Sequence, residues 1–277
     1  MTGQRGMQAG FMVVLGLAAV VVAVGAAQEP QAPETAPQES STGAAPTVFG
    51  PGELMEFSID YGIVNAGSAT LAVVEVKEHG GRRVYHIESK ANSNRFFSSF
   101  YKVRDRVVSY MDVQTLNSVY FHKRLREGDY RKTVEMDFDH EAEVARYRDG
   151  RTFDILPGTH DVLSAFFYIR NLDLAPGKVY SVPAHSSRRT YELRVMVHGR
   201  ETVEVKAGTY TCFVVEPVIE GEGLFKHEGK LTLYITDDEY RTPVLIKTKV
   251  PVGSIDVQLT AYRPGRPLEP LNLVERP

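Results

Sequence analysis

The sequence predicts an all-β, mainly antiparallel protein: a large curved meander sheet, or a barrel or half-barrel, with one short helix near the midpoint. Three observations predict it. Apolar and polar residues alternate with a period of two over most of the chain. Glycine-bearing turns separate the alternating runs. No regular succession of strand and helix occurs, which excludes a parallel α/β fold.

The chain opens differently. Arg5 is followed by an uncharged apolar run, 11–27, that ends in Val24-Gly25-Ala26-Ala27-Gln28. A charged start, an apolar middle and small residues before a cut form the layout of a secretory signal peptide, residues 1–27. The run also approaches the roughly 20 residues of a membrane-spanning helix, so an uncleaved anchor is the alternative. Either outcome places the domain in the periplasm or outside the cell. No cysteine stands near the cut to carry a lipid. Residues 28–48 hold Pro30, Pro33, Pro37 and Pro46 among small and polar residues, which reads as a disordered linker.

The strands then follow in order. Ala69, Leu71 and Val73 share one face, as do Tyr85, Ile87, Ser89 and Ala91. Phe121 and Leu125 alternate with His122 and Arg124, and Val134, Met136 and Phe138 with Glu135 and Asp137. Past the midpoint, Leu193, Val195 and Val197, then Leu231, Leu233 and Ile235, then Ile255, Val257 and Leu259 repeat the pattern. His79-Gly80-Gly81, Glu127-Gly128-Asp129, Asp149-Gly150 and Ala207-Gly208 supply the positive φ of tight hairpins. Counted this way, the chain has roughly thirteen to fifteen strands.

One segment has helical spacing: Val162, Leu163, Phe166, Ile169 and Arg170, after Asp161 as N-cap. The helix, 161–172, divides sheet blocks 49–158 and 178–262 of a single domain. Residues 263–277, with four prolines, read as a flexible tail. So many strands must curl, close or fold over. Periodicity alone does not separate a barrel from a sandwich.

Composition bounds the function. The formal charge is −3, and −4 once Arg5 is removed with the signal, which argues against nucleic acid. The single cysteine, Cys212, excludes an internal disulfide and reads as a small buried residue. No serine elbow, zinc-binding helix, phosphate loop or paired-cysteine site occurs, so no enzyme activity, cofactor or metal is expected. Asp237-Asp238 reads as a turn between strands rather than a cation site.

Several strings resemble an exported bacterial family known as domain of unknown function 3108: residues 97–106, 127–131, 161–170, 207–213 and 234–243, then Val252-Gly253-Ser254. The likeness runs from about Pro51 to Tyr262. It implies an exported, β-rich, single-domain protein without assigned activity, and it carries no catalytic residues. Where the family's last motif often has Trp, this chain has Tyr234-Ile235, and it contains no Trp.

Candidate ligand contacts come from the strand faces and the aromatic content. Asp105 lies on the face of Tyr101, Val103 and Val107, opposite Arg104 and Arg106. If that face is the core, Asp105 needs a partner such as Arg131, Arg170 or Arg241. Phe96, Phe97, Phe100, Phe166, Phe167, Tyr168 and Leu224-Phe225 suit a core or an apolar pocket. The expected function is a non-enzymatic binding protein of the bacterial envelope that holds an apolar or lipid-like ligand, with Tyr101, Asp105, Phe166, Phe167, Arg170 and Arg241 as contacts. The alternative is a structural or interaction protein that presents Tyr110, Tyr120 and Arg124 to a protein or polysaccharide. Membrane contact is expected only through an uncleaved N-terminal segment.

Overall fold

A computed structural model describes residues 45–219, 231–249 and 253–268. The signal segment, most of the linker and Leu224-Phe225 lie outside the described residues. The fold is one antiparallel sheet of fourteen strands, ordered β8-β7-β6-β5-β4-β3-β2-β1-β14-β13-β12-β11-β10-β9. The strands are β1 (Leu54–Tyr61), β2 (Val64–His79), β3 (Arg82–Ser93), β4 (Arg104–Asp112), β5 (Ser118–Glu127), β6 (Tyr130–Asp139), β7 (Val144–Tyr147), β8 (Thr152–Asp154), β9 (Val179–Ser186), β10 (Arg189–Val205), β11 (Gly208–Ile219), β12 (Leu231–Thr236), β13 (Pro243–Lys249) and β14 (Ser254–Arg263). Between β8 and β9 runs helix α1 (Val162–Asn171).

Strands joined by a turn pair with each other, because short turns leave no other partner within reach. One further ladder joins the two ends of the chain: β1 pairs with β14 from Leu54↔Arg263 to Tyr61↔Ile255. The sheet then curls until its outer strands meet. No ladder joins β8 to β9. Instead Thr190 Oγ1 donates to Asp154 O at 2.6 Å, Arg188 pairs with Asp149 at 3.1 Å, and Tyr147 Oη meets His185 Nε2 at 3.0 Å. The result is barrel-like, with a side-chain seam.

Inward residues follow the period of two. Met55, Phe57, Leu71, Val73, Tyr85, Ile87, Val107, Met111, Phe121 and Met136 are all buried in one cluster. Strands β11 to β13 are buried on both faces. Phe213, Val215, Leu233, Ile235 and Ile246 form a second cluster with Ile169 of α1, while Cys212, Val214, Tyr234 and Leu245 belong to the first. The tip of the β10–β11 hairpin covers that other face, with Ala207 N bonded to Leu259 O at 2.9 Å. Lys206 Nζ reaches Ser58 and Asp60 at 2.6 and 2.8 Å.

Helix α1 packs against β3, β4 and β9. Leu163 and Phe167 face the first cluster and Ile169 the second, so the helix is apolar nearly all round, as a buried helix must be. The Phe167 ring meets Phe49 edge-on at 5.0 Å, and Phe49 meets Tyr85 at 5.3 Å. Full burial of such rings contributes about 2–3 kcal/mol each.

Both ends of the folded part extend past the composition boundaries. Ala45 N donates to Val113 O at 2.8 Å and Val48 N to Asn171 Oδ1 at 2.9 Å. Residues 45–48, read as linker, are therefore tied to the barrel. In the tail, Arg266 N donates to Pro51 O at 3.1 Å, and a Cβ on Gly265 would fall 2.1 Å from Gly50 O. Composition registers what a segment lacks for burial. It does not register the backbone acceptors a finished barrel offers.

Candidate functional site

The turns β1–β2, β3–β4 and β5–β6 gather at one end of the barrel, and α1 crosses the other. The first end holds the cluster richest in unsatisfied chemistry. On β4, Asp105 points inward and is 4% exposed. On β5 the same face carries Lys123 and Glu127, 3% and 2% exposed. A bridge between Val103 and Glu127 brings the strands together. Asp105 Oδ1 accepts from Arg126 N at 2.9 Å. As carboxylates, Asp105 Oδ2 and Glu127 Oε1 meet no hydrogen-bond donor among the described residues. Two such acids side by side are satisfied only when they share a proton.

The electrostatics agree. Burial, then the charge of Asp105 and the bond shared with it, push the Glu127 carboxyl up to about 8, with Lys123 partly offsetting the rise. Burial also raises Asp105, against the opposing bond from Arg126. Burial and the neighbouring Lys132 lower the Lys123 ammonium to about 8. Asp105 and Glu127 titrate as a pair and hold a proton between them at neutral pH. Tyr101 sits above them, its phenol pushed up to about 12 by burial, Glu127 and Asp105. Gly128, at φ +54, leaves room for the Tyr101 ring: a Cβ there would stand 2.9 Å from Cε2.

Of the expected contacts, only Tyr101 and Asp105 lie here. The partner expected for Asp105 is corrected. Arg131 is exposed and donates to the carbonyls of Gly128 and Tyr130 at 2.6 and 2.8 Å. Arg170 and Arg241 lie at the helix end of the barrel. Glu127 and Lys123 take their place, and the signal for them was the inward alternation of Lys123, Leu125 and Glu127.

Phe166, Phe167 and Arg170 lie on α1, and Arg241 in the β12–β13 turn. Arg170 is fully buried and grips Glu53 through both Nη atoms at 2.9 and 2.7 Å. It also donates to Arg241 O and Tyr240 O, each at 3.0 Å. Arg241 has φ 47, and its turn is held by Asp238 Oδ1, which accepts from Tyr240 N and Arg241 N at 3.0 Å. Asp238 thus caps a turn, as its sequence setting suggests. Phe96 and Phe100 are 68% and 59% exposed, outside any core, whereas Phe97 is 7% exposed.

At the other end of α1, Asp161 caps the helix through Leu163 N and Ser164 N at 2.8 and 3.0 Å. Its second oxygen accepts from Ser109 and Ser118 hydroxyls at 2.6 and 2.7 Å. His160 Nδ1 lies 3.3 Å from Ser164 Oγ, so serine, histidine and aspartate adjoin. The aspartate, however, orients the helix rather than the imidazole, and burial lowers His160 to about 3. This assembly fastens α1 to β4 and β5. Cys212 is buried, its thiol pushed up to about 12 by burial.

The architecture has a solved counterpart in a β-barrel-like protein of domain of unknown function DUF1849 from Brucella abortus, 12% identical, with a TM-score of 0.59 over 80% of this chain and 100% of that one. A DUF1089 family protein from Pseudomonas aeruginosa is 13% identical, with a TM-score of 0.34 over 74% of this chain and 92% of that one. The chain has no match among curated proteins. A family model, protein of unknown function (DUF3108), matches residues 56–260, and the chain belongs to that family.

Proposed function

We propose that this protein is an exported, non-enzymatic binding protein of the bacterial envelope that holds an amphipathic, lipid-like molecule at the barrel end opposite α1. The observation that carries the reading is the carboxyl pair Asp105–Glu127, buried beside Lys123 at the end of an apolar interior, with Asp105 Oδ2 and Glu127 Oε1 left to share one proton. A buried polar group without a partner costs about 1–3 kcal/mol. A ligand whose polar end donates hydrogen bonds takes over the role of the shared proton and removes that cost in the ionised pair, while its apolar part meets Val107, Val134 and their neighbours. Export rests on the composition of residues 1–28. The test is native mass spectrometry with lipid extraction on the chain from Gln28, purified from a periplasm. A stoichiometric adduct that is lost in Asp105→Asn/Glu127→Gln supports the reading. A bare mass after incubation with extracts of bacterial lipids overturns it.

A second reading has one observation in its favour. On the outer face, Tyr110 and Tyr120 stack at 4.9 Å, flanked by His79 at 4.9 Å from Tyr110 and by Lys77 Nζ, 3.9 Å from the Tyr110 ring centre. Such a patch suits a sugar or a protein. Polysaccharide binding abolished by Tyr110→Ala/Tyr120→Ala would support it.

A further inference from the structure

We propose that the barrel end opposite α1 docks on an anionic lipid bilayer, with Phe96, Phe100 and Ile63 entering the interface and a set of unpaired cations facing the lipid headgroups. This surface is separate from the N-terminal apolar segment, and it goes beyond the binding reading, since docking needs no cargo.

The apolar side chains stand out from a well-packed protein. Ile63 is 102% exposed, Phe96 68%, Phe100 59% and Val64 46%. Ile63 lies in the β1–β2 turn, Val64 opens β2 just after it, and Phe96 and Phe100 lie in the adjoining β3–β4 loop. The loop is held in place. Phe97 is anchored inside, and its N donates to Asn94 Oδ1 at 2.9 Å. Asn94 in turn bonds Ala66 O at 2.9 Å and Asn65 O at 2.7 Å across to β2. The rings of Phe96, Phe97 and Phe100 sit 5.3–5.6 Å apart, already clustered. Presenting them to a membrane therefore requires little ordering.

Charge selects the occupant. Residues 94–104 carry Arg95, Lys102 and Arg104 and no acid. Gly128 N bonds Lys102 O at 2.9 Å, which places the β5–β6 turn alongside with Arg126 and Arg131. Asp129 is the one exposed acid of that turn. None of these five cations has an ion-pair partner among the described residues. Elsewhere several exposed cations are paired, among them Arg82 with Glu141, Arg146 with Asp139, Arg151 with Asp149, Lys178 with Asp173 and Arg200 with Asp237. A chain of net charge −3 thus places five cations without an ion pair beside its exposed phenyl rings. Aromatic and aliphatic groups bordered by Lys and Arg are the makeup of an interfacial membrane site on anionic lipid.

The absence of tryptophan provides the assay. Phe96→Trp, in the chain from Gln28, places a single reporter at the proposed interface. Leu156→Trp places one at the helix end, where Leu156 is 37% exposed. Vesicles of phosphatidylglycerol and phosphatidylcholine, and of phosphatidylcholine alone, are the probes. Blue-shifted emission and quenching by brominated lipid are expected for the Phe96→Trp variant on the anionic vesicles and not for Leu156→Trp. Adding Ile63→Ser and Phe100→Ser to the first variant should weaken binding roughly tenfold or more. Neutralising Lys102 or Arg104 should cost roughly fivefold each and flatten the salt dependence. Circular dichroism checks that each variant is folded. No response of Phe96→Trp to anionic vesicles, or an equal response of Leu156→Trp, overturns the proposal. So does a blue shift without lipid that grows with protein concentration, which would assign the surface to a second copy of the chain. A protein that keeps its co-purified lipid yet ignores vesicles would refute docking and leave the binding reading intact.

Discussion

Arg170→Met is the sharpest test of how the helix is held. Methionine keeps the unbranched stem and helix preference of arginine but removes four hydrogen bonds: two to Glu53 and one each to the carbonyls of Tyr240 and Arg241. Glu53, 1% exposed, then retains the Tyr262 hydroxyl at 3.1 Å. Breaking a buried pair from one side costs about 3–5 kcal/mol. The two carbonyls left dry bring the expected loss to about 5 kcal/mol, comparable with the whole stability of a marginal domain, about 5–15 kcal/mol. The assay is urea unfolding followed by far-ultraviolet circular dichroism, run as a cycle with Glu53→Leu and the double variant. The double variant should recover at least about 2 kcal/mol relative to the sum of the singles, because no unpaired charge remains. A loss under about 1 kcal/mol in Arg170→Met, or additive singles, would refute the claim that this pair fastens α1.

Other outcomes follow from the same structure. Glu127 titrates higher folded, at about 8, than unfolded, so its contribution is complete below the unfolded value near 4.5 and is lost as pH rises through 8; Glu127→Gln should flatten that decline in urea midpoints between pH 5 and 8. Lys123 is shifted the other way, to about 8, and penalises the fold increasingly as pH falls from about 10.5 to 8; Lys123→Met should remove that part of the profile. His160 and His185, lowered to about 3 and about 4 by burial, are neutral in the fold and protonate on unfolding, so the melting temperature should drop as pH falls from about 6.5 toward 4, with a smaller drop in His185→Gln. Gly128→Ala meets both a φ of +54 and the Tyr101 ring, whereas Gly62→Ala meets a φ of +58 with open space; the first should lose roughly 2–3 kcal/mol and the second roughly 1.

The strands and the helix were legible because each leaves a local pattern. Ala69, Leu71 and Val73 alternate, and Asp161 precedes a stretch of helical spacing. Asp105 was legible as a buried acid, because its neighbours on that face are apolar. Its partners were not, since strand alternation gives the face of Glu127 but not which strand lies next to it. Glu53 left no local trace: it precedes β1 and meets Arg170 across 117 residues. The run Cys212-Phe213-Val214-Val215 is apolar at every position because the hairpin tip covers the second face, an arrangement visible only in three dimensions. Phe96 and Phe100 were read as core or pocket residues, since composition does not tell a ring held inside from one held out.

The pairing of β1 with β14 has a consequence for how the molecule is made. Leu54 and Arg263 are partners although 209 positions separate them, and every other ladder joins strands that are consecutive in sequence. Twelve of the thirteen ladders can therefore form as the polypeptide emerges, but β1 keeps a bare edge until the last strand arrives. A chain threaded through a membrane N-terminus first would wait unclosed for its final segment. Renumbered from β9, the sheet runs β9 to β14 and on through β1 to β8 without a jump. The fold is a simple meander, circularly permuted, and a gene rearranged to start at β9 should shorten that wait.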